Sequence, residues 1–248
     1  MIKVAVCGSN GQMGQEVVKA VNSAEDMTLV AQIDIFNGQF ATIKDAKDSV
    51  KIDVLVDFTQ PDSIYENALY CLSNDIKMVV GTTGLSDVQI EELRKLSEQK
   101  KVACLIAPNF SIGAVLMMKF AEMASKYFDN AEIIELHHNK KKDAPSGTAI
   151  KTAQLMAEAK DSFIKGNCLE TETIQGARGG NSYSDIHIHS VRMPGYMASQ
   201  EVIFGSDGQT LTIRHDSTNR TCYMPGVLMA IKYAYEHKNF TYGLDNIL

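Results

Sequence analysis

No apolar run in the 248 residues approaches the roughly 20 needed to cross a bilayer, which sets membrane-spanning roles aside. The start, Met1-Ile2-Lys3-Val4-Ala5-Val6, leads straight into a strand pattern without signal-peptide architecture, so no leader is expected there. A basic excess is also missing. With a net charge of -6 the chain offers no general basic face to phosphates, and nucleic acid is not an expected partner. The five cysteines (Cys7, Cys71, Cys104, Cys168, Cys222) are odd in number, scattered and never spaced C-x-x-C. That argues against a disulfide frame or a zinc site and for reduced thiols in the cytoplasm. Internal repeats and low-complexity segments are absent too. What remains, 45% hydrophobic and 22% charged, is the composition of a soluble globular protein with room for one large or two modest domains.

What is present starts with an apolar run, Ile2 to Cys7, of the buried parallel-strand kind. It enters Gly8, Ser9, Asn10, Gly11, Gln12, Met13 and Gly14, and Glu16 to Val21 then carries helical spacing. Strand, glycine turn and helix in that order suit a dinucleotide pyrophosphate, because glycines let the backbone approach phosphates that face the helix N-terminus. A second strand, Thr28 to Ile33, ends at Asp34, 20 residues after Gly14, where a carboxylate can accept from ribose hydroxyls. Ile35 and Phe36 follow, so no adjacent cation awaits a 2′-phosphate. NADH is favoured, and the more distant Lys44 keeps NADPH open.

Alternation continues through strands at 53–58, 77–80 and 102–107, with a helix opened by Pro61 and another by the capping-box pair Ser86 and Gln89. The pattern predicts a Rossmann-type doubly wound parallel α/β sheet with its ligand beyond the carboxyl ends of the strands. Those ends carry Gly8 to Gly14, Asp34, Thr59, Gly81 to Thr83 and Ala107 to Phe110. After a helical run at 112–126 the alternation stops. A strand at 132–138, a helix at 147–159 and strand-like runs at 185–192, 197–205 and 210–215 predict a smaller α+β domain with a mixed sheet. The expected division is a dinucleotide-binding domain at 1–108, a substrate-binding and oligomerisation domain at 109–219, and a helix from Pro225 with its tail, 220–248, returning to the first.

The segment from Glu135 to Ala149, E-L-H-H-N-K-K-K-D-A-P-S-G-T-A, joins two imidazoles and three lysines to a helix start. Such a grouping suits an anionic substrate that must be protonated, with the N–H groups of Gly147 and Thr148 available to a carboxylate. Lys140 and Lys142 read as solvated. His137 and His138, or His187 and His189, lack the Cys or carboxylate spacing of a metal site, and no metal is expected.

This segment resembles the signature of the dihydrodipicolinate (4-hydroxy-tetrahydrodipicolinate) reductases of diaminopimelate–lysine biosynthesis. The similarity runs nearly the whole chain, through G-S-N-G-Q-M-G at 8–14, D-F-T at 57–59, G-T-T-G at 81–84, A-P-N-F-S at 107–111 and G-A-R-G at 176–179. The resemblance implies NADH or NADPH as cofactor, a small cyclic dicarboxylate as substrate, and a homotetramer built through the second domain's sheet. It implies His137 as general acid/base, Lys141 as proton donor, and His138, Gly147 and Thr148 as substrate contacts. Gly8, Ser9, Asn10, Gly11, Gln12, Met13, Asp34, Gly81, Thr82, Thr83, Ala107, Pro108, Asn109 and Phe110 match cofactor contacts. Gln12 stands where some members carry a basic residue, and Ile35 where NADPH-preferring members carry arginine; both departures weigh against strict NADPH use. The rival reading is a non-catalytic dinucleotide-sensing protein of the same fold, and the presence of both His137 and Lys141 counts against it.

Overall fold

The computed structural model describes residues 1–160, 162–164 and 170–248; Cys168 lies outside the described residues. The chain forms two compact units, one of residues 1–112 with 220–248 and one of residues 113–219.

The first unit is built on β1 (Ile2–Cys7), β2 (Met27–Ile33), β3 (Val54–Asp57), β4 (Lys77–Val80) and β5 (Cys104–Ile106), joined by a strand from the end of the chain, β11 (Phe240–Tyr242). All six run parallel in the order β11-β5-β4-β3-β1-β2. Near-continuous apolar runs build such strands because both faces are covered. One face carries Ala5, Cys7, Leu55, Met78, Val80 and Cys104, packed with Ile64, Ala68 and Leu72 of helix α3 (Pro61–Ser73) and Leu93 of α4 (Asp87–Lys100). By alternation Val4, Val6, Val54, Val56 and Val79 face the other way, where α1 (Gln12–Ser23) and α7 (Met224–Glu236) meet. Residues 220–248 therefore supply both a covering helix and an edge strand.

The chain leaves β1 for β2 on one side, then crosses to β3 on the other, so the sheet reverses direction between β1 and β3. That reversal opens a crevice beyond the carboxyl ends of the two strands. Helix α1 starts at Gln12, four residues before the apolar spacing becomes visible, because Gly11 caps it in an extended conformation. A short helix, α2 (Ile43–Ser49), was not foreseen. Only Ile43 and Ala46 of it are buried, and its signal is a local cap in which the Thr42 side chain accepts from the Asp45 N–H.

The second unit begins one residue into α5 (Ile112–Ser125) and holds β6 (Asn130–His137), α6 (Gly147–Ala159), β7 (Gly180–Asn181), β8 (His187–Arg192), β9 (Ala198–Ser206) and β10 (Gln209–Ser217). Its sheet runs β10-β9-β6-β8-β7 and is mixed, since only β6 and β8 are parallel. Ala131, Ile133, Ile188, Val202 and Phe204 bury one face against Ala121 and Ala124 of α5 and Ala149, Ala153 and Met156 of α6. Further along that face the residues turn polar: Glu135, Gln200, Arg192 and His137 succeed the apolar ones in register.

Among the described residues no helix is long and apolar enough to cross a membrane. Ile231 of α7 is fully buried, and Ile231→Ala is expected to cost about 2–5 kcal/mol in a denaturant titration followed by circular dichroism. A loss below about 1 kcal/mol would show that α7 is not part of the first core.

Candidate active site

The glycine turn of the first unit is set by sterics. Gly8 has φ +76, and a Cβ there would lie 2.4 Å from the Phe58 carbonyl oxygen; one on Gly14 would lie 2.0 Å from that of Gly8. The N–H groups of Gly8 and Ser9 both donate to the Ile33 carbonyl, and that of Gly11 to Gly8. Ser9 is buried, and its Oγ has no hydrogen-bond partner. Asp34 accepts from the Asn10 N–H at 3.0 Å on one oxygen and from the Phe36 N–H at 2.9 Å on the other.

A cavity of about 790 Å³ opens beside this turn, at the crevice between β1 and β3. Of the expected cofactor residues, Gly8, Asn10, Gly11 and Asp34 line it, with Lys44, Phe58, Thr59, Asn67 and Tyr70 added from neighbouring elements. Gly81 and Phe110 are tied to it through Phe58. A Cβ on Gly81 would sit 2.2 Å from the Phe58 ring, whose centroid lies 5.7 Å from that of Phe110. Ser9, Gln12, Met13, Thr82, Thr83, Ala107, Pro108 and Asn109 are not among its lining residues. Thr82 instead donates to Asp57 at 2.7 Å, the Ala107 N–H to Val80, and the Ser111 N–H to the Asn109 side chain. Gln12, Thr83 and Pro108 are exposed and Met13 is half-buried in the first turn of α1.

Asp57 organises the strand ends. Fully buried, it accepts from the Thr59 N–H (2.9 Å), the Thr59 hydroxyl (2.7 Å), Thr82 and the Asn67 amide (2.9 Å). Cys7, Cys71 and Cys104 are buried free thiols. Burial pushes all three upward, Cys104 to about 12, so none supplies a thiolate nucleophile.

In the second unit the decisive residue is Glu135, with no exposed surface. Two residues before His137 on one strand, it shares that residue's face. Its Oε2 meets His137 Nδ1 at 2.5 Å. Arg192 grips both oxygens, at 2.8 and 2.7 Å, and passes a further bond to the Asp143 carbonyl at 2.8 Å. The Ser146 N–H donates to Glu135 at 3.2 Å, and the Ser146 hydroxyl caps α6 by accepting from the Ala149 N–H. Burial alone would raise the Glu135 carboxyl, but the bonds from His137, Arg192 and Ser190 outweigh it and hold the group at about 2.

Of the expected substrate and catalytic residues, His137 contacts this carboxylate directly, while Lys141 and Gly147 adjoin it in the chain through Asp143 and Ser146. His137 is half-buried and ends β6, and His138 and Lys140 are exposed, with the Lys140 N–H donating to His138 Nδ1. Lys141 forms 2.8 Å contacts with both oxygens of Asp143, whose carboxyl it holds below the usual range. The N–H groups of Gly147 and Thr148 are the first of α6 and have no intrahelical acceptors. A Cβ on Gly147 would meet nothing within 4 Å, so the fold itself does not require glycine there. Glu135 and Arg192 were given no role from sequence, although a charge at the i−2 position of an apolar strand was a signal for the first. His187 and His189 are engaged elsewhere, with the Arg178 carbonyl (2.6 Å) and Glu132 (2.7 Å). No metal-holding group of three His, Cys, Asp or Glu occurs among the described residues.

A parallel sheet with a glycine turn at its crevice is a Rossmann-type fold of the dinucleotide-binding class. A probable dehydrogenase from Thermotoga maritima shares the fold at TM-score 0.67 and 11% identity, over 99% of this chain and 92% of that one. More particularly, the chain belongs to the dihydrodipicolinate reductase family, whose N-terminal model matches residues 2–110 and whose C-terminal model matches residues 113–248. It is 49% identical to a 4-hydroxy-tetrahydrodipicolinate reductase of Gloeothece citriformis (100% of this chain, 98% of that one). Identity to one of Listeria innocua is 48%, over the whole of both chains. The dipicolinate-bound dihydrodipicolinate reductase of Paenisporosarcina sp. TG-14 superposes at TM-score 0.93 with 46% identity, covering both chains completely.

The Glu135 carboxyl, ordinarily at 4.5 and held at about 2, contributes stability in full above pH 4.5 that fades as pH falls toward 2. The contribution is about 3 kcal/mol. Acid denaturation of wild type and Glu135→Gln should show this slope in the wild type only; parallel curves would refute it.

Proposed function

We propose that the chain reduces 4-hydroxy-tetrahydrodipicolinate, or its dehydrated form dihydrodipicolinate, to tetrahydrodipicolinate in diaminopimelate–lysine biosynthesis. The observation that carries this reading is the convergence of His137, the Lys141 loop and the open start of α6 on Glu135. The membership of the family and the dipicolinate bound to its relative support it.

The first unit fits a dinucleotide on two counts: an orphaned buried hydroxyl at Ser9 and a turn whose glycines exclude side chains. A bound nicotinamide would supply the hydride. Gly8, Ser9, Asn10, Gly11, Gln12 and Met13 would cradle the phosphates, Asp34 would accept from the ribose, and Gly81 to Thr83 with Ala107 to Phe110 would border the nicotinamide end. Ile35 next to Asp34 favours NADH, and Lys44 on the cavity wall leaves NADPH usable.

The remaining chemistry belongs to the second unit. The Gly147 and Thr148 N–H groups and Lys141 hold substrate carboxylates and absorb negative charge as the ring is reduced, and His138 adds a further contact. His137 gives a proton to the carbon beside the reduced one, as a positioned imidazolium can serve as a general acid. The face of the sheet opposite its core carries Ile134, Leu136, Val191 and Ile203, half-buried, which supports a homotetramer assembled there. The absence of paired cysteine motifs supports a cytoplasmic setting.

The test supplies substrate from a coupled synthase and follows NADH and NADPH oxidation in parallel. His137→Ala should lose about 10²–10⁴-fold in kcat, and full turnover in that variant would overturn its role. Gly147→Ala should fold normally and raise KM for the dicarboxylate without altering dinucleotide affinity. An unchanged KM would remove the α6 start from the substrate site.

A further inference from the structure

The Glu135–Arg192 ion pair does more than fill a buried position. The donors that Glu135 accepts from come from three elements of the site: the ring of His137 on β6, the guanidinium of Arg192 and the Ser190 side chain on β8, and the backbone N–H of Ser146 at the start of α6. Arg192 extends the same network to the Asp143 carbonyl, beside the carboxylate that holds Lys141. The Arg192 side chain is mostly buried, and its two terminal nitrogens carry all of these bonds and one to the Val191 carbonyl, while Nε has no hydrogen-bond partner.

We propose that Glu135 and Arg192 are positioning residues, which hold His137 in the Nδ1–H form so that it exchanges protons with substrate through Nε2 alone. The inference rests on the reading of His137 as the proton donor and adds how that donor is controlled. An ionised carboxylate can only accept, so a ring nitrogen 2.5 Å from it must carry the hydrogen. Nδ1 therefore stays protonated whether the ring is neutral or charged. When the reduced substrate takes its proton, the Nε2–H bond breaks and the new C–H bond forms. The ring is left neutral with its hydrogen on Nδ1, ready to regain the other from solvent. Arg192 keeps the carboxylate ionised and prevents it from swinging, since its fork fits both oxygens. A base oriented by a third group is the general pattern of tuned proton carriers.

Two readouts test this on the full-length chain. Nitrogen-15 NMR of histidine-labelled protein, with the His137 signal assigned by its loss in His137→Gln, reports the tautomer without any substrate. The wild type should show Nδ1–H. Glu135→Gln, whose amide cannot accept at both positions, should lose that form, and Glu135→Asp should keep it. In turnover, Glu135→Gln should lower kcat about 10²-fold with KM within about threefold, and Glu135→Asp should recover part of the loss. An unchanged tautomer in Glu135→Gln, or a kcat within about twofold of wild type, would overturn the proposal. So would equal losses in the Gln and Asp variants. Should Glu135→Gln fail to bind dinucleotide or to fold by circular dichroism, Arg192→Lys decides: kcat should drop by about 10-fold or more, and an unaltered kcat overturns the inference. A wild-type chain that turns over no dicarboxylate would sink the reductase reading instead, and the tautomer would still be measured.

Discussion

A carboxylate stripped of all water is stable only if donors surround it, and the second unit is arranged to meet that demand at Glu135. Desolvation of an unpaired carboxylate would cost several kcal/mol. Here the cost is offset by a bidentate guanidinium, a ring N–H and a backbone N–H. The residues that satisfy it are the ones that carry the chemistry. The sheet face that starts apolar at Ile133 ends polar at Glu135 and His137, and the loop from His138 to Pro145 is fastened at both ends by the same side chain and its partner. A core requirement and a site requirement are met by one group.

The first unit repeats the principle with different residues. Asp57 is also fully buried, at the carboxyl end of β3, and its donors come from the loop ends after β3 and β4 and from Asn67 of α3. It fixes the height of Thr59 and Thr82 around the crevice that Gly8 leaves open. Neither carboxylate lines a surface. Both define where the surface lies.

Much of this was legible where the rules are local. The bounds of β1, β4 and α6 coincide with the apolar runs and caps read from sequence, and the Ser86–Gln89 capping box forms as its spacing implied. The mixed character of the second sheet followed from strands without helices between them, although its strand order did not. Helix α2 escaped because seven mostly polar residues with two buried positions carry too weak a period. Arg192 escaped for a different reason. It lies 57 residues from Glu135, and the pairing exists only because β6 and β8 lie side by side. Spacing rules reach four residues along a helix or two along a strand, and a partner supplied by strand register falls outside them.

The last strand and last helix have a consequence for synthesis. While residues 1–112 emerge from the ribosome, β5 has an open edge, and the face of Val4, Val6, Val54 and Val56 lacks Val227, Ala230, Ile231 and Ala234 of α7. Both stay unmet until the whole second unit has been made. The nascent first unit is thus an unpaired parallel edge beside an apolar face that has α1 and lacks α7, the kind of surface that chaperones hold. The sheet face is covered only once α7 (Met224–Glu236) has been made, and the β5 edge is paired only once β11 (Phe240–Tyr242) has followed it.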